Sequence, residues 1–234
     1  MTPPYQPSVF VIIPAFNEQH AVCKVLADIP KDLVSETIVV NNGSTDHTAQ
    51  QALACGATVL DEPRKGYGNA CLKGIGHLRN KALTGHEIVV FIDADYSDYP
   101  EEMYKLVRPI QTGEADLVIG SRALGARQKG AMTPQQLFGN WLATSLMRLI
   151  YKINFTDLGP FRAIRYDQLI AINMQDKTYG WTVEMQVKAA KGGLKCTEVP
   201  VDYRRRIGVS KVSGTVKGTI MAGYKILWTI AKYM

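Results

Sequence analysis

The sequence predicts an α/β domain on a mainly parallel sheet sandwiched by helices, and three observations carry that expectation. Short β-branched runs alternate with helix-like stretches through the first half of the chain. The runs are apolar almost throughout, as in strands covered on both faces, rather than at every second residue. Polar residues gather where the runs stop, which is where open α/β sheets bind ligands.

The elements follow in order. "SVFVII" (8–13) reads as the first strand, and "EQHAVCKVLADI" (18–29) as a helix that Pro30 ends. "ETIVV" (36–40) is the second strand. "STDHTAQQALACG" (44–56) is a helix with a hydroxyl cap at its start and Gly56 at its end. "ATVLDE" (57–62), a helix from about Gly68 to Ala82, and the strand "EIVVFID" (87–93) come next. A helix from about Tyr99 to Thr112 and the strand "ADLVIGS" (115–121) complete the regular half. Beyond it, residues 134–153 spell a long amphipathic or buried helix, and "DLGPFRAIR" (157–165) a loop and short strand. "WTVEMQVKAAKGG" (181–193) reads as a helix with a glycine stop, and "KCTEVPVDYR" (195–204) as a strand. With no repeat and no linker, residues 1–214 are expected to form one domain. Residues 215–234 are expected to form a C-terminal amphipathic helix, either part of that domain or a membrane-interface anchor.

Composition bounds the function. Of 234 residues, 46% are apolar and 21% charged, ordinary for a globular chain. The four cysteines are scattered with no C-x-x-C pair, which argues against a disulfide framework or zinc site and suits a reducing compartment. The start, "MTPPYQPS", does not read as a signal peptide, and no stretch has the roughly 20 apolar residues of a membrane span. The expected location is cytoplasmic, peripheral on the cytoplasmic face of a membrane. The net charge of +6 hides an asymmetry: residues 1–121 hold 9 Lys+Arg against 15 Asp+Glu, residues 122–234 hold 18 against 6. A basic C-terminal half points to an anionic partner. Nucleic acid is not expected, for no helix-turn-helix or RNA-motif signature accompanies the charge.

"PAFNE" (14–18), "NNGSTD" (41–46) and "DADYSD" (93–98) each follow a strand, so three strand ends pool polar groups at one edge. Strand periodicity aims Asp93 and Asp95 to one side. Two adjacent carboxylates repel and are costly to bury, and a hard divalent cation, Mg²⁺ or Mn²⁺, resolves that conflict. The alternative is that they punctuate a turn. Asp98 fits that role itself, because Asp98-x-x-Glu101 spells a capping box with Pro100 in the first turn. Neither G-x-x-x-x-G-K-[ST] nor G-x-G-x-x-G occurs, which excludes the P-loop and dinucleotide fingerprints.

The ordered set "VIIPAFNE", "VVNNGSTDHT", "RKGYGNA" and "FIDADYSDYPEEM" resembles the family 2 nucleotide-sugar glycosyltransferases of the GT-A fold. "GSRALG", "FTDLGPFRAIR", "YGWTVEMQVKAAKGG" and "VPVDYRRRIGVSKVSG" are similar to the dolichyl-phosphate mannose synthase and polyprenyl-phosphate glucosyltransferase branch, so that the likeness spans about residues 8–215. The resemblance implies an inverting hexose transfer from a nucleotide-sugar donor, GDP- or UDP-linked, to a polyprenyl or dolichyl phosphate. It implies that Pro14, Ala15, Phe16 and Glu18 line the nucleoside pocket and that Asn42 reaches the base or ribose. Lys65, Gly66 and Gly68 match the loop along the nucleotide; Asp93 and Asp95 would hold the metal on its diphosphate, with Ala94 between them counted among the nucleotide-binding residues. Asn41-Asn42 stands where the pattern has Asp-Asp, and Ser97 where it often has Gln.

A lipid-phosphate acceptor is already a nucleophile and needs cations to place it. Arg122, Arg127, Lys129, Arg204, Arg205, Arg206, Ser210 and Lys211 are the expected clamp. Arg122, Arg162 and Asp157 are expected near the reacting centre, with Asp157 an orienter or base. Glu184 faces Arg162 or the acceptor, or forms a structural ion pair. In the tail, Ile220, Met221, Tyr224, Leu227, Trp228 and Ala231 recur at helical spacing, interrupted by Lys217, Lys225 and Lys232. That pattern fits a helix at a membrane surface or one docked on the core. Two alternatives stay open: a soluble acceptor, which needs a base such as Asp157, and a non-catalytic nucleotide-binding partner protein of the same fold.

Overall fold

The computed structural model describes residues 7–208 and 216–234, with side chains from 221 in the last segment. Seven strands form one sheet: β1 (Val9–Ala15), β2 (Val34–Asn41), β3 (Thr58–Asp61), β4 (Ile88–Phe91), β5 (Leu117–Ser121), β6 (Arg162–Arg165) and β7 (Cys196–Pro200). Their order is β3-β2-β1-β4-β6-β5-β7. All pairs are parallel except those of β6, which runs antiparallel to both β4 and β5. A mainly parallel sheet was expected; the reversed β6 is invisible in "FRAIR", because strand direction depends on what precedes the strand.

Among the described residues the eight α-helices are α1 (Val22–Asp28), α2 (Thr48–Ala54), α3 (Tyr67–Arg79), α4 (Met103–Gln111), α5 (Pro134–Tyr151), α6 (Tyr166–Ala171), α7 (Trp181–Lys191) and α8 (Val216–Lys232). β1 shows why they take both faces. Its side chains alternate: Phe10 and Ile12 enter one apolar cluster with α3, α5 and α7 residues, while Val9, Val11 and Ile13 enter another with α1 and α4 residues. All are buried, so the strand has no polar face.

Several boundaries differ from the sequence reading. The first helix starts at Val22, not Glu18, whose backbone N–H goes to Thr48 Oγ1 (2.8 Å). The short α6 was not expected. Asp98 caps nothing: the turn Pro100–Glu102 has Tyr99 at its N-cap and no side-chain bond there. Cys23 in α1 and Cys55 at the end of α2 are joined in a disulfide, their Cα atoms 5.8 Å apart. That removes the ground for reading the scattered cysteines as a mark of a reducing compartment.

α8 lies against α5 and α7. Thr229 and Ile230 are buried and the Tyr151 hydroxyl donates to the Ile230 carbonyl, whereas Met221, Tyr224, Leu227 and Trp228 are exposed. Docked on the core by one face, the helix still presents an apolar face outward. Among the described residues no helix is long and apolar enough to cross a membrane.

α5 starts with a complete capping box. Thr133 Oγ1 accepts the Gln136 N–H (3.2 Å), and Gln136 Oε1 accepts the Thr133 N–H (2.8 Å). Thr133→Ala is expected to cost about 1 kcal/mol and lower the melting midpoint by roughly 2–4 °C, read by calorimetry.

Candidate active site

The C-terminal ends of β1, β2 and β4 open into a cleft of about 290 Å³. The first two loops interlock. Asn17 N–H donates to Ser44 Oγ (3.0 Å), Thr45 N–H to Asn17 Oδ1 (2.8 Å), and Gln19 N–H to Asp46 Oδ2 (3.2 Å). "PAFNE" and "NNGSTD" are thus one rigid rim, not two separate turns. Pro14, Ala15, Phe16, Glu18, Asn42, Lys65, Gly66, Asp93, Ala94 and Asp95 line the cleft, together with Tyr67, Tyr179 and Arg206. A wider groove of about 500 Å³ runs along α3, but neither paired aspartate faces it.

Asn42 lines the cleft in a different role from the one expected. Its amide donates to the carbonyls of Glu62 (3.0 Å) and Arg64 (2.8 Å), and its Oδ1 accepts the Gly66 N–H (2.8 Å). All three of these bonds hold the loop 62–66, and Lys65 is delivered over the Phe16 ring, 5.0 Å from its centroid. Asp at this place would face two carbonyls with no proton to give, which explains an Asn here. Gly68 does not line the cleft. A Cβ there would lie 2.0 Å from the Asp176 carbonyl oxygen, so this glycine admits the 176–177 backbone.

Asp93 sits half-buried on the floor with its Oδ1 shielded and unpartnered. Burial and then the charge of Asp95 push its pKa up to about 7. Asp95 is held: Oδ1 accepts the Ser97 N–H (2.9 Å) and hydroxyl (2.5 Å), and Oδ2 lies 3.0 Å from Arg206 Nη1. An orphaned carboxylate oxygen beside a second carboxylate suits a hard divalent cation, so Asp93 and Asp95 fit the expected ion. Ser97 orients Asp95. Asp98 is buried with neither carboxylate oxygen partnered, and burial with the nearby Asp93 charge raises it well above the usual carboxylate range.

The arginines divide by what they touch. Arg206, expected in the acceptor clamp, lines the cleft of the paired aspartates instead, bridging Asp95 to Glu18 Oε1 (2.6 Å). Arg204 is no clamp: its guanidinium lies 3.4 Å from the Tyr96 ring centroid and 4.1 Å from that of Tyr99. It also donates to the carbonyls of Tyr96 (2.7 Å) and Asp98 (3.1 Å), fixing the turn that carries the aspartates. Arg162 is fully buried and donates to the carbonyls of Leu158, Gly159 and Thr182; burial lowers its pKa to about 10. It lines no part of the cleft. Glu184 does not pair with it, accepting instead from the Gln175 and Asp176 N–H groups and from Lys188 (2.8 Å).

Asp157 is not placed as a base. It receives Arg122 through Nε (2.8 Å), Nη2 (2.7 Å) and the backbone N–H (2.8 Å). Burial pushes it upward, yet the Arg122 charge and these bonds hold it below the usual carboxylate range. Arg122 also lies 5.1 Å from the centroid of the Tyr203 ring, and the backbone of the 126–130 loop pairs with Tyr203. Arg127, Lys129 and Arg205 are exposed. Ser210 and Lys211 lie outside the described residues. Tyr67 and Tyr179 were not anticipated as lining; "RKGYGNA" and "YGWTVEMQ" contained them without marking them.

The profile of glycosyl transferase family 2 matches residues 10–172. An uncharacterised glycosyltransferase of Mycobacterium tuberculosis is 35% identical over 92% of this chain and 94% of its own. The undecaprenyl-phosphate mannosyltransferase of Micrococcus luteus is 33% identical over 90% of this chain and 89% of its own. A crystal structure of glucosyl-3-phosphoglycerate synthase from Mycobacterium tuberculosis, in complex with Mn²⁺, UDP-glucose and phosphoglyceric acid, covers 97% of this chain with 79% of its own. Its TM-score is 0.75 at 23% identity, a likeness of GT-A fold. The chain belongs to glycosyl transferase family 2.

The raised Asp93 pKa has a stability consequence. A carboxyl titrating near 7 when folded and near 4 when unfolded destabilises the folded state as pH rises between those values. In EDTA, Asp93→Asn is expected to melt roughly 10 °C above the unaltered chain at pH 8, the gap closing towards pH 4. Midpoints measured across that range check it.

Proposed function

We propose that this family 2 glycosyltransferase moves a hexose, mannose or glucose, from a GDP- or UDP-linked sugar to a polyprenyl phosphate with inversion. The observation that carries the reading is the cleft itself: two aspartates at its floor, one with an unpartnered oxygen, and Lys65 and Arg206 in its lining. Asp93 and Asp95 would hold Mg²⁺ or Mn²⁺, which when bound neutralises a diphosphate leaving group. Phe16, Lys65 and the loop fixed by Asn42 shape the nucleoside side. Arg206, on the wall beside Asp95, is in reach of the diphosphate, while Arg127, Lys129 and Arg205 offer charge to an acceptor phosphate. Arg122 stays paired with Asp157. An anionic acceptor attacks without a general base, which agrees with Asp157 being locked to Arg122. The Micrococcus luteus relative, an undecaprenyl-phosphate mannosyltransferase, supports this acceptor class.

A peripheral membrane position follows from two helix faces. α5 exposes Leu137, Phe138, Trp141 and Leu149; α8 exposes Met221, Tyr224, Leu227 and Trp228. Neither helix contains an acidic residue, and Arg148, Lys152 and Lys232 are exposed on or next to them. Aromatic and aliphatic groups with only basic charge suit an anionic lipid surface. The second reading is a soluble phosphorylated acceptor, favoured because exposed cations grip a phosphate whatever its tail.

Thermal unfolding with UDP or GDP, each with Mn²⁺, Mg²⁺ or EDTA, tests the donor site. Ligand at about a hundred times its dissociation constant adds roughly 2.7 kcal/mol, a shift of about 5–10 °C. One nucleotide is expected to give that shift, lost in EDTA and in Asp95→Asn. Transfer from the matching nucleotide sugar is then expected onto polyprenyl phosphate in vesicles and not onto 3-phosphoglycerate. The reverse preference overturns the lipid reading, and no shift with either nucleotide overturns the donor site.

A further inference from the structure

The turn between α6 and α7, residues 172–180, forms one wall of the cleft through Tyr179, whose ring is part-exposed. Its backbone is packed into the loop on the neighbouring wall. Asn69 N–H donates to the Lys177 carbonyl (3.0 Å), and a Cβ on Gly66 would lie 2.2 Å from that same oxygen. Loop 65–69 and the 176–179 turn therefore move as one body.

Two carboxylates hold the turn. Asp176 Oδ1 accepts the N–H groups of Thr178 (2.7 Å) and Gly180 (3.2 Å). Glu184, fully buried, accepts those of Gln175 (3.0 Å) and Asp176 (2.6 Å). Each carboxylate is also gripped from the C-terminal end of the chain. Lys225 Nζ on α8 lies 3.0 Å from Asp176 Oδ2, and the Tyr233 hydroxyl donates to Glu184 Oε1 (2.6 Å). Thr229 presses on the same turn, its Oγ1 only 2.3 Å from where a Cβ on Gly180 would stand.

We infer that the C-terminal helix is part of the donor site: Lys225 and Tyr233 are positioning residues that set the turn, and the turn sets Tyr179 as a wall for the nucleotide sugar. The inference rests on the nucleotide-sugar reading above. An aromatic ring on the wall of a nucleotide cleft provides a stacking face, and its value depends on being held in place. α8 supplies that hold from a helix whose opposite face is exposed and apolar.

The test is calorimetric binding of UDP and of GDP, with Mn²⁺, to the full chain and four variants. Tyr179→Ala is expected to weaken the preferred nucleotide about tenfold. Lys225→Met and Tyr233→Phe are expected to weaken it about fivefold, and Lys225→Arg to return it to within about twofold of the unaltered chain. Ligand-free melting midpoints separate positioning from folding, and Tyr179→Ala, on a part-exposed ring, carries the test should Lys225→Met fail to fold. Unchanged affinity in Tyr179→Ala, or in a folded Lys225→Met, overturns the inference while leaving the donor reading intact. Absence of binding by the unaltered chain overturns both.

Discussion

Asp93 and Asp95 stand one residue apart beyond the buried strand β4, and their mutual repulsion is the constraint around which this side of the molecule is arranged. β4 lies between β1 and β6 with every residue buried, so the two charges emerge together at the floor of the cleft. The surroundings divide the problem. Ser97 and Arg206 compensate Asp95, whereas Asp93 keeps an oxygen without a partner and a pKa near 7. A fold optimised only for stability would not retain that oxygen; a cleft that receives a cation and a diphosphate has a use for it.

The arginines show how little charge alone decides. Arg162, Arg204 and Arg206 come from short basic or mixed motifs that look alike in sequence, yet their partners differ completely. Arg162 serves three backbone carbonyls inside the domain, Arg204 is stacked between two tyrosines, and only Arg206 reaches the cleft. Guanidinium groups suit each of these settings because the planar fork both stacks and donates in several directions. Exposed cations such as Arg127 and Arg205 thus stand near buried or stacked ones whose work is structural.

α8 joins the two ends of the proposed activity. One face is packed on α5 and α7 with Ile230 in the core, and the other offers Tyr224 and Trp228 outward. Sequence periodicity supports either docking or interfacial use, and the structure shows that the helix has a face for each.

Much of the fold and of the cleft's lining was legible in the residues. Apolar β-branched runs between helical stretches announce a two-faced parallel sheet, because only such strands need no polar side. Paired aspartates after one of them announce a cation site, because like charges at that spacing conflict. What the residues could not reveal depends on contacts between segments far apart. Whether Asn42 reads a base or ties a loop depends on where residues 62–66 pass. Whether Asp157 is a base or an anchor depends on Arg122, 35 positions away. The Cys23–Cys55 bond and the antiparallel β6 likewise arise from how elements pack. Side-chain chemistry and local periodicity are written in the chain itself; which partner each polar group meets is decided only when the tertiary structure removes water and leaves it one neighbour to satisfy.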